Sequence, residues 1–409
     1  FARQLLRRAL EVDRRIPEAP EMLAELQLFV RRDPRQALKV LSDAPEQTVS
    51  YRRFHLYIQA YRALQDALGA QEVLREFLEF VAQDVENGRR EDARAALETM
   101  VLLLPVPSLW QFLVDLAVED EDLSGLMASW EQLRATVPRL DVQFTTITGE
   151  ALMRLGRLEQ AEQMLRQALL KEPTNHAILL QLGVLAEKRG DELTAEEVYR
   201  RMTVIHPHHA SSWIRLGQHY LKERRAEDAR GAFEEALRRE EGSIDALTGL
   251  AKALSLLKLH DGAITAARKL TELDPDNALS WLELARTTGE ARRFAEQEHA
   301  LRQAIMHSQD APETWDSLAR FLIQVPDARL RRVEEAVAMA RRAVENSQER
   351  NPAFLGTLAE ALFETGRYAE ALKTIDQAIQ GQPEFDNFHR QRRKIRNALE
   401  SATPARYGM

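Results

Sequence analysis

Two sets of cations recur at a fixed interval along this chain. Lys252, Arg286 and Arg320 lie 34 residues apart, and so do Arg154, Lys188 and Lys222. A scaffold that repeats at that interval would hold each set at one height, as a short positive track suited to an acidic peptide, a chain terminus or an anionic polymer. The second trio has a plainer reading: each member falls where a helix would close, and a cation there is favoured by the helix dipole. The first trio has Asp245, Glu283 and Asp316 close by in sequence, carboxylates that would turn it into an ordinary solvated face of weak pairs. Catalysis has less to work with. The chain has no cysteine, which removes thiolate nucleophiles, disulfides and zinc–cysteine sites. His206, His208 and His209 gather around Pro207, but at a turn, with no neighbour that completes a ligand set, so no metal is expected. Glu234 and Glu235 read as a solvated helix face. There is no glycine-rich phosphate loop, nucleophile elbow or HExxH element. The expectation is a chain that catalyses nothing and needs no cofactor.

The interval that spaces the cations governs the whole sequence, and such self-similarity decides the architecture. One segment carries the pattern most fully: Trp213, Leu216, Gly217, Tyr220, Ala229, Phe233 and Ala236. With Trp213 counted as the fourth position, the eighth reads Gly149, Gly183, Gly217, Ala251, Ala285, Ala319 and Ala359. The twentieth reads Ala161, Ala195, Ala229, Ala263, Gln297, Ala336 and Ala371, and the twenty-fourth is mostly bulky (Leu165, Tyr199, Phe233, Leu301, Ile375). Prolines close four copies, at Pro173, Pro207, Pro275 and Pro383. Two helices approach to roughly 8–10 Å only where their contact residues are small, which the eighth and twentieth positions supply. A proline stops the second helix because it cannot continue the hydrogen-bond ladder. The period runs unbroken from Val142 to Ala311; the next copy carries about five extra residues, in Val325 to Arg332, between its helices.

These residues resemble the tetratricopeptide-repeat family over residues 142–384, as seven copies. The resemblance implies an all-α, right-handed α-solenoid (a superhelix) of stacked antiparallel helical hairpins, in which each hairpin buries its face only against its neighbours. It further implies that the first helix of each repeat lines a concave groove, with positions 2, 5, 9, 12 and 13 sharing the inward face. In that register the ninth position reads Glu150, Val184, Gln218, Lys252, Arg286, Arg320 and Glu360, and the thirteenth contains Arg154, Lys188 and Lys222. Leu180, Val184, Ile214 and Leu282 add apolar groove positions suited to an amphipathic helix or an extended apolar peptide. A subset of the family clamps the carboxylate terminus of heat-shock chaperones with a basic fifth position. Here Thr146, Leu180, Ile214, Thr248, Leu282 and Asp316 stand there, and none is basic. Trp213, Trp281 and Trp315 all occupy the fourth position and are expected to pack. Residues 318–344 and 351–372 are similar to the closing repeats of many bacterial repeat proteins, which often accompany envelope enzymes, secretion machinery or polysaccharide export.

Upstream the pattern weakens. Residues 85–105 offer Gly88, Ala93, Leu97, Met100 and Pro105 at suitable offsets, and 108–138 a distorted copy (Trp110, Val114, Leu126, Trp130, Pro138). Residues 1–84 are amphipathic (Tyr51, Phe54, Ile58, Tyr61, Leu64) without a legible phase, so 1–141 reads as degenerate hairpins continuous with the array, with a distinct helical domain over 1–84 as the alternative. Residues 385–400 are expected to be a charged capping helix and 401–409 a loose tail. The chain opens on Phe1 within an apolar helical pattern (Ala2, Leu5, Leu6, Ala9, Leu10), which reads as a fragment with room for a signal peptide or anchor ahead of it. No apolar run spans a bilayer; the longest surrounds Met100 to Leu104. A net charge of −8 argues against a nucleic-acid partner. The leading expectation is a non-catalytic protein–protein interaction scaffold that grips a partner in its groove, within a multi-protein complex of the bacterial envelope. The alternatives are an accessory region of a larger enzyme, such as a glycosyltransferase, and a binder of an anionic polymer. Self-association is also open, and the compartment is undecided, with the envelope slightly favoured.

Overall fold

The computed structural model describes residues 19–44, 50–137, 142–308, 310–347 and 351–402. The helical pattern read in residues 2–10, Pro138, and the tail beyond residue 402 lie outside the described residues. Every regular element among the described residues is helical, and the chain divides into two compact units, Phe1–Val198 and Tyr199–Met409. Each is a stack of antiparallel helical hairpins of the α-solenoid kind.

In the first unit the turns supply the phase that the sequence hides. Gln65, Gly88, Glu121, Gly156 and Gly190 all adopt positive φ between paired helices. After each, the next residue donates its N–H five residues back: Asp66 to Tyr61 (2.9 Å), Arg89 to Asp84 (2.8 Å), Asp122 to Ala117 (2.9 Å), Arg157 to Leu152 (2.7 Å) and Asp191 to Ala186 (2.9 Å). This is one helix-closing motif used repeatedly, and it satisfies carbonyls that the helix end would otherwise leave unpaired. Counted back from these turns, Phe54, Phe77 and Trp110 take the fourth position, and all three are buried. Ile58, Val81 and Val114 take the eighth, where the later repeats have Gly or Ala, so the spacing persists after its small-residue signature has gone. Helix Ala67–Glu86 runs long and packs against both Tyr51–Leu64 and Arg90–Leu103, so it belongs to two hairpins.

The second unit pairs Ala210–Lys222 with Ala226–Arg239, Ile244–Leu256 with His260–Leu273, and Ala278–Glu290 with Phe294–Met306. Pro312–Gln324 then pairs with Val333–Asn346, Pro352–Glu364 with Tyr368–Gly381, and Asp386–Ala402 closes the stack. Asn277, Ser243 and Asn351 cap the starts of first helices with side-chain oxygens, the usual remedy for orphan N–H groups. The last helix buries Phe388 and Ile395, and a Cβ on Gly356 would fall 2.7 Å from the Phe388 ring. First helices of neighbouring repeats touch directly (210–222 with 244–256, 244–256 with 278–290, 312–324 with 352–364), so they form the inner wall of this unit. On the second helices an ion-pair ladder recurs: Arg268–Glu296 (2.6 Å), Arg302–Glu335 (2.7 Å) and Arg341–Glu370 (2.5 Å).

The packing rule is clearest at Phe233, which is fully buried. Cβ atoms added at Gly217 and Gly249 would lie 2.8 and 2.2 Å from its ring, so one aromatic fills the space that two glycines of successive first helices leave open. Gly231, also helical, has nothing within 4 Å of an added Cβ. Gly231→Ala should therefore raise stability by about 1 kcal/mol through helix propensity alone. Gly249→Ala should lower it by about 1–3 kcal/mol despite the same propensity gain, because the ring has nowhere to go. Urea unfolding of the two variants checks this. Gly249→Ala combined with Phe233→Leu should recover part of the loss, and equal effects at both glycines would refute the wedge.

Candidate partner-binding groove

The ten residues singled out by position are divided between the units. In the first unit, Arg154 is exposed and bound to Asp115 at 2.8 Å, Leu180 is half-buried, and Lys188 stands in solvent near the end of His176–Arg189. In the second, Ile214 is 8% exposed, which leaves little of it for a partner because it is spent on packing. Gln218 is exposed and accepts from Arg215 at 3.4 Å, and Lys222 and Lys252 are exposed at the surface of their helices.

Leu282, Arg286 and Arg320 come together. They line a cleft of about 430 Å³ between helices 278–290 and 312–324, with Ala285, Phe294, Gln297, Leu301, Ser317, Phe321, Gln324, Val325 and Pro326. Lys252 is not part of it. The cleft has a physical cause in the sequence. Gln297 stands where six copies have Ala, and its amide reaches the backbone of Gly289, where a Cβ would lie 2.5 Å from Nε2. The inserted segment adds the other wall: Val325 is buried, the Arg331 guanidinium donates to its carbonyl (3.4 and 3.3 Å), and Pro326 follows it at the rim. Ser317 donates to Glu313 O at 2.7 Å, whereas the Gln297 and Gln324 amides make no side-chain hydrogen bond among the described residues.

The arginines arrive already partnered. Arg286 is held by Glu283 and Glu290 on its own helix, and Arg320 by Asp316 at 2.7 Å. The sequence offers Glu283 and Asp316 as such partners, and i,i+3 and i,i+4 spacing lets them meet. Two of the three expected track cations are thus ion-paired within their own helices, and Arg320 keeps side-chain donors to spare. Asp316 is the unusual member, its side chain 2% exposed. Burial pushes its carboxyl up from the ordinary value, while Thr357 and Arg320 ease the ionised form; Oδ1 makes no well-formed hydrogen bond.

Elsewhere the candidates read as structure. Trp213 donates to Pro207 O (3.3 Å) under the Arg239 guanidinium, and Trp281 donates to Pro275 O (2.7 Å), so each indole ties a repeat to the turn before it. The His206 and His209 rings stack at 5.0 Å. Glu234 and Glu235 pair with Arg230, Arg238 and Arg239 on their own helix. No group of three or more His, Cys, Asp or Glu that could hold a metal ion occurs among the described residues, and no described helix is long and apolar enough to cross a membrane.

Family models described as tetratricopeptide repeats match residues 148–210, 214–278 and 329–395. The chain is a tetratricopeptide-repeat protein. No curated protein matches it. Among solved structures it is similar to the APC/C hetero-tetramer Cut9–Hcn1, at 14% identity over 97% of this chain and 86% of that one, TM-score 0.42. It is also similar to a tetratricopeptide repeat protein from Parabacteroides merdae (16% identity, 70% of this chain, 98% of that one, TM-score 0.41). A third is a thermophilic TPR protein in Thermus thermophilus (21% identity, 46% of this chain, 98% of that one, TM-score 0.36). The stretch between the second and third matched segments, 279–328, holds most of the cleft, including Gln297 and the start of the insertion. Both departures are visible in the sequence, but their meeting is not. Phe294 and Phe321 do not stand out there, and nothing in the repeat register marks Gln324.

Asp316 gives the tetratricopeptide-repeat stack a pH signature. A carboxyl whose folded pKa lies above the unfolded 3.8 costs stability as pH rises from the unfolded value through the folded one, and costs nothing below both. Asp316→Asn should therefore come nearest to wild type in urea unfolding below pH 3.8 and gain on it steadily as pH rises to neutrality. A difference between the two proteins that stays constant with pH would remove Asp316 as its source.

Proposed function

We propose that this protein is a non-catalytic interaction scaffold that holds a segment of a protein partner in the cleft between first helices 278–290 and 312–324. One observation carries the reading. Where the chain departs from the repeat pattern, it opens a cleft with an apolar floor (Leu282, Phe294, Phe321) and the unpartnered amides of Gln297 and Gln324 at its sides. Such amides can donate to and accept from the backbone of an extended peptide, while the floor takes its side chains. Arg320 adds donors for a carbonyl or a carboxylate. Because Arg286 and Arg320 are paired within their own helices, affinity at this cleft rests on many modest contacts and not on bare charge.

The same pairing disfavours the anionic-polymer reading, which needs Lys252, Arg286 and Arg320 as free cations. A place in an envelope-assembly, secretion or export complex is a finer reading, and it rests on the resemblance of residues 318–344 and 351–372 and on the common use of such long arrays there. A photoreactive benzophenone side chain at Gln324, with a second variant carrying it at Glu234 on a second-helix face, tests the site. After irradiation with cell extract, a discrete protein adduct is expected from the Gln324 variant and not from the Glu234 variant. Equal adducts from both positions, or none from Gln324, would refute the cleft as the partner site.

A further inference from the structure

Leu282 also lines a second recess, of about 610 Å³, one helical turn toward the start of the same seam. It lies where Asp274, Asp276, Asn277, Ala278 and Leu279 face His307, Ser308, Ala311, Glu313 and Thr314. Its apolar surface is unusual for its place in the repeat. The second position reads Gln143, Ala177, Ser211, Asp245, Glu313 and Ala353 in the other copies, and at Leu279 alone it is a large apolar side chain. Leu279 is 71% exposed, so it stands open in the groove face and contributes little to the core.

The rim has one sign. Asp274, Asp276 and Glu313 line the recess, and no Lys or Arg does. Asp274 accepts from Asn277 Nδ2 at 3.0 Å, as a turn residue should, but Asp276 is 91% exposed, and its one ion-pair partner among the described residues is His307 Nδ1, at 3.4 Å. Glu313 has no ion pair among the described residues. Helix dipoles do not offset these charges. Two helices start at the recess (Ala278 and Pro312) and two end there (Leu273 and Met306), so their half-charges of about +0.5 and −0.5 cancel. The cleft beyond Leu282 differs: its charged lining is Arg286 and Arg320, each neutralised by its own helix. A groove whose carboxylates meet no Lys or Arg at one end, and which has spare Arg320 donors at the other, has a direction.

We infer that this recess recognises a partner segment in which a large apolar side chain stands beside a cation: a lysine, an arginine or a free amino terminus. The apolar group covers Leu279 and Leu282, and the cation sits among Asp274, Asp276 and Glu313. The path of the rest of the segment rests on the groove reading: past Leu282 it runs toward Gln297 and Arg320, which fixes its orientation. The chain's net charge of −8 favours the approach of such a cationic segment and penalises an anionic one.

Two fluorescein-labelled octapeptides of identical composition, acetylated and amidated at their ends, test this by fluorescence anisotropy. One has Lys-Leu at its amino end and Glu at its carboxyl end; in the other the Lys and Glu are exchanged. Each is titrated with wild type, with the recess variant Asp276→Asn/Glu313→Gln, and with the cleft variant Arg320→Ala/Gln324→Ala, all matched by circular dichroism. Wild type should bind the Lys-first probe about tenfold more tightly than its counterpart, a few modest charge contacts' worth. That preference should vanish in the recess variant and shrink at about 300 mM salt. Equal affinities, no saturable binding by about 1 mM, or a preference that survives the recess variant would overturn the inference. Binding lost only in the cleft variant would leave the cleft reading standing and remove the recess. Binding lost only in the recess variant would do the reverse.

Discussion

Everything in this protein depends on helices coming close enough to share one bulky side chain between them. A single hairpin cannot bury its own apolar face, so each must lean on the next, and small residues set how near they come. Phe233, wedged between Gly217 and Gly249, is that constraint in its plainest form. Ala161, Ala195, Ala229, Ala263, Ala336 and Ala371 are fully buried at the twentieth position for the same reason. Gln297 breaks the rule, and the cleft opens at the break. The candidate site is thus a local suspension of the packing requirement, tolerated because the neighbouring hairpins still satisfy it.

Charge plays a different part from the one its spacing suggests. Residues 34 apart are brought level by the fold, but residues three and four apart on one helix are nearer still, and carboxylates hold those places around Arg286 and Arg320. Local pairing therefore takes up two of the three cations in the Lys252, Arg286 and Arg320 set. The second-helix ladder of Arg268, Arg302 and Arg341 with Glu296, Glu335 and Glu370 uses charge as a repeat-to-repeat register device instead. Each exposed rung contributes little by itself. What has no Lys or Arg partner at the groove, among the described residues, is negative, at Asp276 and Glu313.

The irregular early hairpins obey the same turn chemistry as the later ones. A left-handed residue followed by a backbone bond five residues back closes helices at Gln65, Gly88 and Glu121 just as it does at Gly156 and Gly190. Turn geometry outlasts the residue pattern because it is carried by backbone atoms, which every residue has. The cost of positive φ at a non-glycine residue, roughly 1–2 kcal/mol, is accepted at Gln65, Glu121, Arg224, Lys258 and Arg292.

By itself the sequence determined the helical hairpin as the repeating unit, the small eighth and twentieth positions, the packing role of Trp213 and Trp281, and the place of the insertion. These are legible because they recur: a close approach demands a small residue wherever it happens, so the demand is written into the text at a fixed interval. It also placed Leu282, Arg286 and Arg320 on one face. Only the tertiary structure decided that Lys252 lies outside the cleft they line, that the two arginines are already bound, and that Gln297 and the insertion open one cleft together. It alone showed that Ile58, Val81 and Val114 stand in the place of Gly or Ala, and that Leu279 lies open beside three carboxylates. Those outcomes turn on which side chains meet across a seam or along one turn of helix. Spacing along the chain limits such meetings without choosing among them.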